Sequence, residues 1–301
     1  MKSFTQPSTL TRYLAVGGGL FLLGFSLAIF AAPVSVADDR GVVVMVDKPP
    51  QRVVSLLPSL TESVCALGKC STLVGIDRFS NWPKSIQDLP KLGGMGDINI
   101  ERITQLKPDV VLLEKASPVI ARLNGLGIKT FAFDIKSMGD EQRALQKLDG
   151  ILGTSESTRI WSQIQQEITR ANKQLSTKGG NISVYFEVNP APFAAGSTSF
   201  IGEILTQLNL VNIIPKSLGP FPKINPEFVV QAKPDVILLT GSTIIDIQKR
   251  PGWNSIPAVK KNRICSFNAD QNDVLVRPGP RMGEAALLIS QCIQEKMSSS
   301  P

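Results

Sequence analysis

Residues 99–114 read NIERITQLKPDVVLLE, and residues 225–240 read NPEFVVQAKPDVILLT. Nine of the sixteen positions are identical, and the copies lie 126 residues apart. Each copy predicts a short helix, a stop and a buried strand. Asn99 and Asn225 fit the N-cap, where a side-chain oxygen accepts from a free backbone N–H. Glu101 and Glu227 fall in the first turn, where the helix dipole favours a carboxylate. Pro108 and Pro234 cannot continue a helix, so Lys-Pro-Asp closes each one. Residues 110–113 and 236–239 are continuous apolar runs, as strands covered on both faces require. A unit repeated at this distance predicts two lobes of similar build.

On both sides of the repeat, strands and helices alternate in the pattern of a parallel, helix-covered sheet. In the first half, strands are predicted at 52–57, 73–76 and 129–133, with helices at 61–67 and 117–125. Ser59 and Glu62 read as an N-cap and its capping-box partner. In the second half, strands are predicted at 182–188, 212–214 and 263–267, and helices at 200–208 and near 244–249. A long polar loop over 268–283 and an amphipathic helix over 284–295 close the chain. Between the halves, Ile160, Trp161, Ile164 and Ile168 recur at helical spacing. They predict a helix over 157–176, ~30 Å long, ended by Gly179-Gly180. Such a helix is a stiff strut rather than a hinge. The expected fold is α/β: two similar lobes, each a mostly parallel sheet with flanking helices, joined by one long rigid helix. The expected boundaries are 38–153, 154–180 and 181–301, after a leader over 1–37.

The leader is predicted from Lys2 and Arg12 ahead of an apolar, glycine-rich run over 14–32. Ser35-Val36-Ala37 is a small-x-small cleavage site before Asp38. The alternative is an uncleaved N-terminal anchor. No cysteine adjoins the cut, so there is no lipid-attachment motif. Removing residues 1–37 takes the formal charge from +7 to +5. No Lys/Arg cluster is dense enough for a nucleic-acid footprint. Four cysteines in an exported chain point to disulfides. Cys65–Cys70 and Cys265–Cys292 are favoured among the three possible pairings, with buried free thiols as the alternative. The chain contains no histidine. That excludes Ser-His-Asp and Cys-His catalysis, and it argues against a zinc or manganese site and a His-ligated haem.

In open parallel sheets, ligands bind beyond the carboxyl ends of the strands. Here those positions are the loops at 58–60 (with Ser59 and Leu60), 77–83, 189–199, 217–223 and 268–281. Trp82, Phe193 and Phe221 each stand beside a proline in such a loop. They read either as aromatic walls for a large, flat ligand or as loop packing. Asp270, Arg277 and Arg281 supply polar groups, for a ligand amide or carboxylate or for an Asp–Arg pair that fixes the loop. The glycines at 93–96 lack the order of a phosphate loop. Glu101 and Glu227 read either as dipole compensation or as matched anchor points for a two-fold partner.

With these motifs assembled, the chain resembles periplasmic substrate-binding proteins of the helical-backbone class, which serve ABC importers of cobalamin and iron–siderophores. The resemblance runs from about Arg52 to Cys292. It is carried by RVVSLLPSLTE (52–62), LVGIDRFSNWP (73–83), the repeated phrase, GIKTFAFD (127–134) and RPGPR (277–281). Within the class it is most similar to the cobalamin-binding members, with FSNWP, NPAPFAAG and GPFPKINPE in the expected order. The resemblance implies two lobes that close little on binding and grip cobalamin base-on, through aromatic and backbone contacts without a protein histidine. It assigns Trp82, Phe193 and Phe221 to the aromatic positions and Asp270 and Arg277 to the last polar loop. It matches Glu101 and Glu227 to glutamates that meet arginines of the permease dimer. Some relatives carry a cysteine near Leu208 that is missing here, which leaves Cys265 as the candidate partner of Cys292. The implied protein is a monomeric periplasmic carrier of cobalamin, with no catalytic role, cofactor or nucleic-acid partner. The competing readings are a ferric-siderophore carrier of the same fold and an exported α/β enzyme.

Overall fold

The computed structural model describes Met1 and residues 33–176, 181–190, 192–241 and 244–298. The chain divides into Met1–Ala31 and Ala32–Pro301, and the architecture below is that of the second unit. Most of the predicted leader, the Gly179-Gly180 stop, Ala191 and Ser242-Thr243 lie outside the described residues.

The described chain opens with strands β1 (Val34–Ala37) and β2 (Val43–Val46), an antiparallel pair. Four strands then form the first sheet. These are β3 (Val53–Ser55), β4 (Leu73–Ile76), β5 (Val110–Glu114) and β6 (Thr130–Phe133), with helix α1 (Pro58–Ala66) after β3, α2 (Ile100–Gln105) before β5 and α3 (Ile120–Gly125) after it. The order is β4-β3-β5-β6, and every pair is parallel. Helices α4 (Met138–Leu152) and α5 (Ser157–Ser176) follow.

The second sheet is built from β7 (Ser183–Asn189), β8 (Phe193–Ala194), β9 (Val211–Asn212), β10 (Val236–Leu239) and β11 (Ile264–Ser266). Strands β11, β10 and β7 are parallel, β9 is parallel to β7, and β8 runs antiparallel to it. Around them lie α6 (Phe200–Gln207), α7 (Pro226–Ala232), α8 (Ile244–Gln248), α9 (Pro257–Lys260), α10 (Ala269–Val276) and α11 (Met282–Ser298). The α/β architecture with two sheet-centred lobes is the one the repeat predicts.

Helix α5 has the predicted bounds because its apolar stripe is uninterrupted: Ile160, Ile164, Ile168, Ala171 and Leu175 are all buried. Helix α11 lies along it. Gly283 permits the approach, since a Cβ there would stand 2.6 Å from Glu167 Cβ. The Ser290 hydroxyl donates to the Ala171 carbonyl at 2.8 Å. The Cys265–Cys292 disulfide ties α11 to β11, and Cys65–Cys70 closes the end of α1. One apolar core runs from β3 and α1 through α5 and α11 to β7 and β10.

Two expectations are corrected, and a third meets a folded strand. The polar loop predicted over 268–283 contains α10, opened by a capping box in which Asn268 accepts from Gln271 N and the Gln271 side chain accepts from Asn268 N. Ser59 does not cap α1: Pro58 already occupies the first turn, and Leu57 stands at the cap without a side-chain bond. Ser35-Val36-Ala37, the expected cleavage site, lies in strand β1. Val36 is buried against Gly150 of α4. Asp38, also buried, gives its N–H to Val42 O and takes Arg40 Nε at 2.7 Å and Ala132 N at 3.1 Å. A cut after Ala37 would remove β1 and put an ammonium group at this buried turn.

Candidate functional site

The first-lobe rim leaves β4 at Asp77. The Asp77 carboxylate accepts from Phe79 N at 2.7 Å and Ser80 N at 3.1 Å, with a short bond from the Ser80 hydroxyl. Burial pushes its pKa above the usual carboxylate range, against these hydrogen bonds. The turn is fixed further by Lys91 Nζ, which donates to Ser80 O at 2.7 Å. On this rigid backbone the Phe79 side chain points outward, 60 % exposed, with Met95 62 % exposed on the next loop. A Cβ on Gly94 would come within 2.9 Å of the Phe79 ring, so glycine is what lets the two loops close on each other. Arg78 pairs with Asp97 beside them.

Trp82 follows, before a cis bond to Pro83. It is 45 % exposed, and the Arg281 guanidinium stacks over its ring at 5.2 Å. It stands between two grooves. One, of about 270 Å³, is lined by Trp82, Lys84, Asp270, Asp273, Arg281 and Glu284. The other, of about 350 Å³, is lined by Glu62, Trp82, Pro83, Arg159, Ile160 and Arg281. Trp82 and Asp270 therefore share a groove.

On the second lobe, the loops carrying Phe193 and Phe221 are laced together. Ala194 N donates to Pro222 O at 3.0 Å, Gly196 N to Pro220 O at 2.8 Å and Ile224 N to Pro192 O at 3.0 Å. Gly196 is obligatory: a Cβ would stand 2.0 Å from Gly219 O. Phe221 packs at a tilt on Phe200, 6.2 Å between centroids, and Phe193 and Phe221 are both half-buried.

Among the described residues the lobes are bonded to each other at two places. Phe200 N donates to Lys136 O at 2.7 Å, and Met138 N to Glu203 Oε2 at 2.7 Å. The second contact is ionic. Glu62 of α1 is buried and accepts from Arg277 Nη1 at 2.9 Å and from Arg281 Nε and Nη2, each at 2.8 Å. Arg277 also donates to Asn81 Oδ1 at 2.8 Å and Phe79 O at 3.0 Å, and pairs with Asp273 at 2.8 Å. Ser59 is buried at this contact, facing Gly279, and Leu60 is buried in the apolar core, so neither side chain opens onto solvent. Behind it, burial raises the pKa of Glu141 well above its ordinary value; the Ser63 hydroxyl opposes this and the charge of Glu62 adds to it.

Glu101 and Glu227 occupy matching, exposed places in the first turns of α2 and α7, each behind its asparagine cap. Sequence reading missed Phe79, Met95, Asp273 and the partnership of Glu62 with Arg277. Asp273 was legible in principle: Asn268 and Gln271 signal a helix, and on a helix Asp273 and Arg277 are i,i+4 neighbours. Among the described residues no His/Cys/Asp/Glu group is arranged to hold a metal ion, and all four cysteines are in disulfides.

The family model described as periplasmic binding protein matches residues 53–270. The uncharacterized ABC transporter substrate-binding lipoprotein YvrC of Bacillus subtilis is 29 % identical, over 87 % of this chain and 85 % of its own. The vitamin B12-binding protein of Pectobacterium atrosepticum is 26 % identical, over 83 % and 91 %. Among solved structures, a possible iron-binding periplasmic solute-binding protein of Staphylococcus epidermidis superposes with a TM-score of 0.72 at 23 % identity, over 82 % of this chain and 99 % of that one. The periplasmic heme-binding protein RhuT of Roseiflexus superposes with a TM-score of 0.68 at 24 % identity, over 82 % and 99 %.

Proposed function

The chain belongs to the periplasmic binding protein family, the non-enzymatic, extracytoplasmic substrate-binding proteins of ABC transporters, and from that premise we propose that its cargo is cobalamin or a related corrinoid. In this reading the cargo sits between the lobes against Phe79, Trp82, Met95, Phe193 and Phe221. The monomeric carrier works in the periplasm and presents Glu101 and Glu227 to the two halves of an inner-membrane permease.

One observation carries the choice of cargo. Protein-bound haem needs an axial His, Tyr, Cys or Met. This chain has no histidine, and its tyrosines are Tyr13 and Tyr185. Tyr185 is wholly buried in the second-lobe core, its hydroxyl donating to Glu187 Oε2 at 3.3 Å. With the cysteines in disulfides, Met95 is the rim residue left of those types. A corrinoid brings its own cobalt ligands and asks of the protein flat apolar walls and amide partners. The rim arginines are also engaged, Arg78 by Asp97, Arg281 by Glu62 and Arg277 by four acceptors. An anionic ferric siderophore would need such cations free. That second reading is favoured by Lys115 and Lys136, two exposed cations sharing Asp134 at the ends of β5 and β6.

Calorimetric titration with cyanocobalamin, hemin and ferric siderophore complexes tests the proposal. Cyanocobalamin should bind one per chain at micromolar affinity or better. Tighter binding of either other ligand would reassign the cargo.

A further inference from the structure

Arg277 uses both terminal nitrogens of its guanidinium on the protein itself. A guanidinium has five N–H groups, and here the two terminal nitrogens serve Glu62, Asn81, Phe79 O and Asp273. Its side chain is 9 % exposed. The acceptors belong to three parts of the chain: α1, the loop that presents Phe79, and α10. Glu62 is 3 % exposed and takes both Arg277 and Arg281, the latter through two nitrogens. Arg281 in turn covers one face of Trp82. Two arginines and two carboxylates, Glu62 and Asp273, form the bonded cluster, and Asp77 and Glu284 lie close enough to feel the charges of Arg277 and Arg281. The exposed aromatic side chains of the rim hang from it at two points: the Phe79 carbonyl through Arg277, and the Trp82 ring through Arg281.

We propose that Glu62 is a positioning residue for the cargo-binding rim: through Arg277 and Arg281 it fixes the loop that presents Phe79 and Trp82, and Arg277 itself makes no contact with cargo. This rests on the reading that the strand-end rim is the cargo site. It reverses the assignment of Arg277 to the ligand. The Phe79 amide is held from within its own lobe by Asp77, while the Phe79 carbonyl is held from the opposite lobe. Losing Glu62 would leave Arg277 with Asp273, on its own helix, as its remaining carboxylate partner. The cross-lobe half of the support would then loosen while the Asp77 half stayed.

Amide hydrogen exchange on cargo-free protein tests this without reference to any ligand. In Glu62→Gln, exchange over residues 77–82 should rise by about tenfold, with that of β10 unchanged. Should Glu62→Gln fail to fold, Arg281→Lys, which keeps the charge and loses the paired geometry, carries the same test. Cyanocobalamin affinity then separates positioning from contact. Glu62→Gln should weaken it by about tenfold, and adding Arg277→Gln should change that by less than about twofold, as coupled residues do. Unchanged exchange over 77–82, or a further independent loss from Arg277→Gln, would overturn the proposal. If wild-type protein does not bind cyanocobalamin, the cargo reading fails while the exchange result still decides the role of Glu62.

Discussion

Replacing Cys265 and Cys292 together by alanine should destabilise the protein more than the same change at Cys65 and Cys70. The two disulfides close loops of 27 and 5 residues. Loop-closure entropy in the unfolded chain then gives about 3.5 kcal/mol for the long loop and about 2 kcal/mol for the short one. For roughly 270 residues at ~2.1 cal/mol/K of unfolding entropy each, these become about 6 °C and about 4 °C in Tm. The contrast is sharpened by burial, because Cys265 is fully enclosed while Cys65 and Cys70 are half-buried. The core is continuous between the lobes, so one melting transition should report both losses. Thermal melts of the two double variants, with the four single variants as controls, measure the ranking. A larger loss from the short-loop pair would refute the entropic account.

Other outcomes are open to direct measurement. Glu141 has a raised pKa in the folded protein, so the fold binds a proton that the unfolded chain releases. Stability therefore falls as pH rises from the ordinary glutamate range through the folded pKa; Glu141→Gln should raise Tm at neutral pH and lose its advantage near pH ~4, and an advantage that grows on acidification would contradict the burial argument. Reversing Glu101 and Glu227 to lysine should abolish uptake and leave cyanocobalamin affinity intact, measured by transport and calorimetry on the same variant; lost affinity with normal uptake would remove the docking role. Phe79→Ala and Trp82→Ala should each weaken cyanocobalamin binding, by about 1–3 kcal/mol for an aromatic anchor, and an unchanged dissociation constant removes that residue from the site. N-terminal sequencing of the exported protein should find its first residue upstream of Val34, whereas a start at Asp38 would show that β1 is dispensable.

The repeated phrase made the two-lobe fold legible because each copy carries its own cap, stop and strand within sixteen residues. Helix α5 was legible because Ile160, Trp161, Ile164 and Ile168 recur at helical spacing, and the structure extends that stripe through Ala171 and Leu175. Helix α10 was hidden by its composition: ADQNDVLV has no apolar period, and only the Asn268–Gln271 pair announces it. The site was less legible still. Trp82 and Phe79 stand three residues apart in one loop; the adjoining proline singles out Trp82, while nothing local marks Phe79, whose exposure only the fold reveals. Asp270 and Asp273 lie three residues apart and line the same groove, and the helix alone brings Asp273 to Arg277. The ion pair of Glu62 with Arg277 spans 215 residues, and no local signal can announce it.

That span bears on how the protein is exported. A chain that crosses a membrane unfolded, N-terminus first, delivers α1 long before residues 277–281. Until those arrive, Glu62 has no cation to enclose it, and an unpaired carboxylate resists burial. The first lobe thus cannot reach its final packing while the tail is still in transit, and α5 waits equally for α11. Contacts between the two ends of a sequence make folding slow. For a carrier exported in that way, the last folding step would follow the end of translocation.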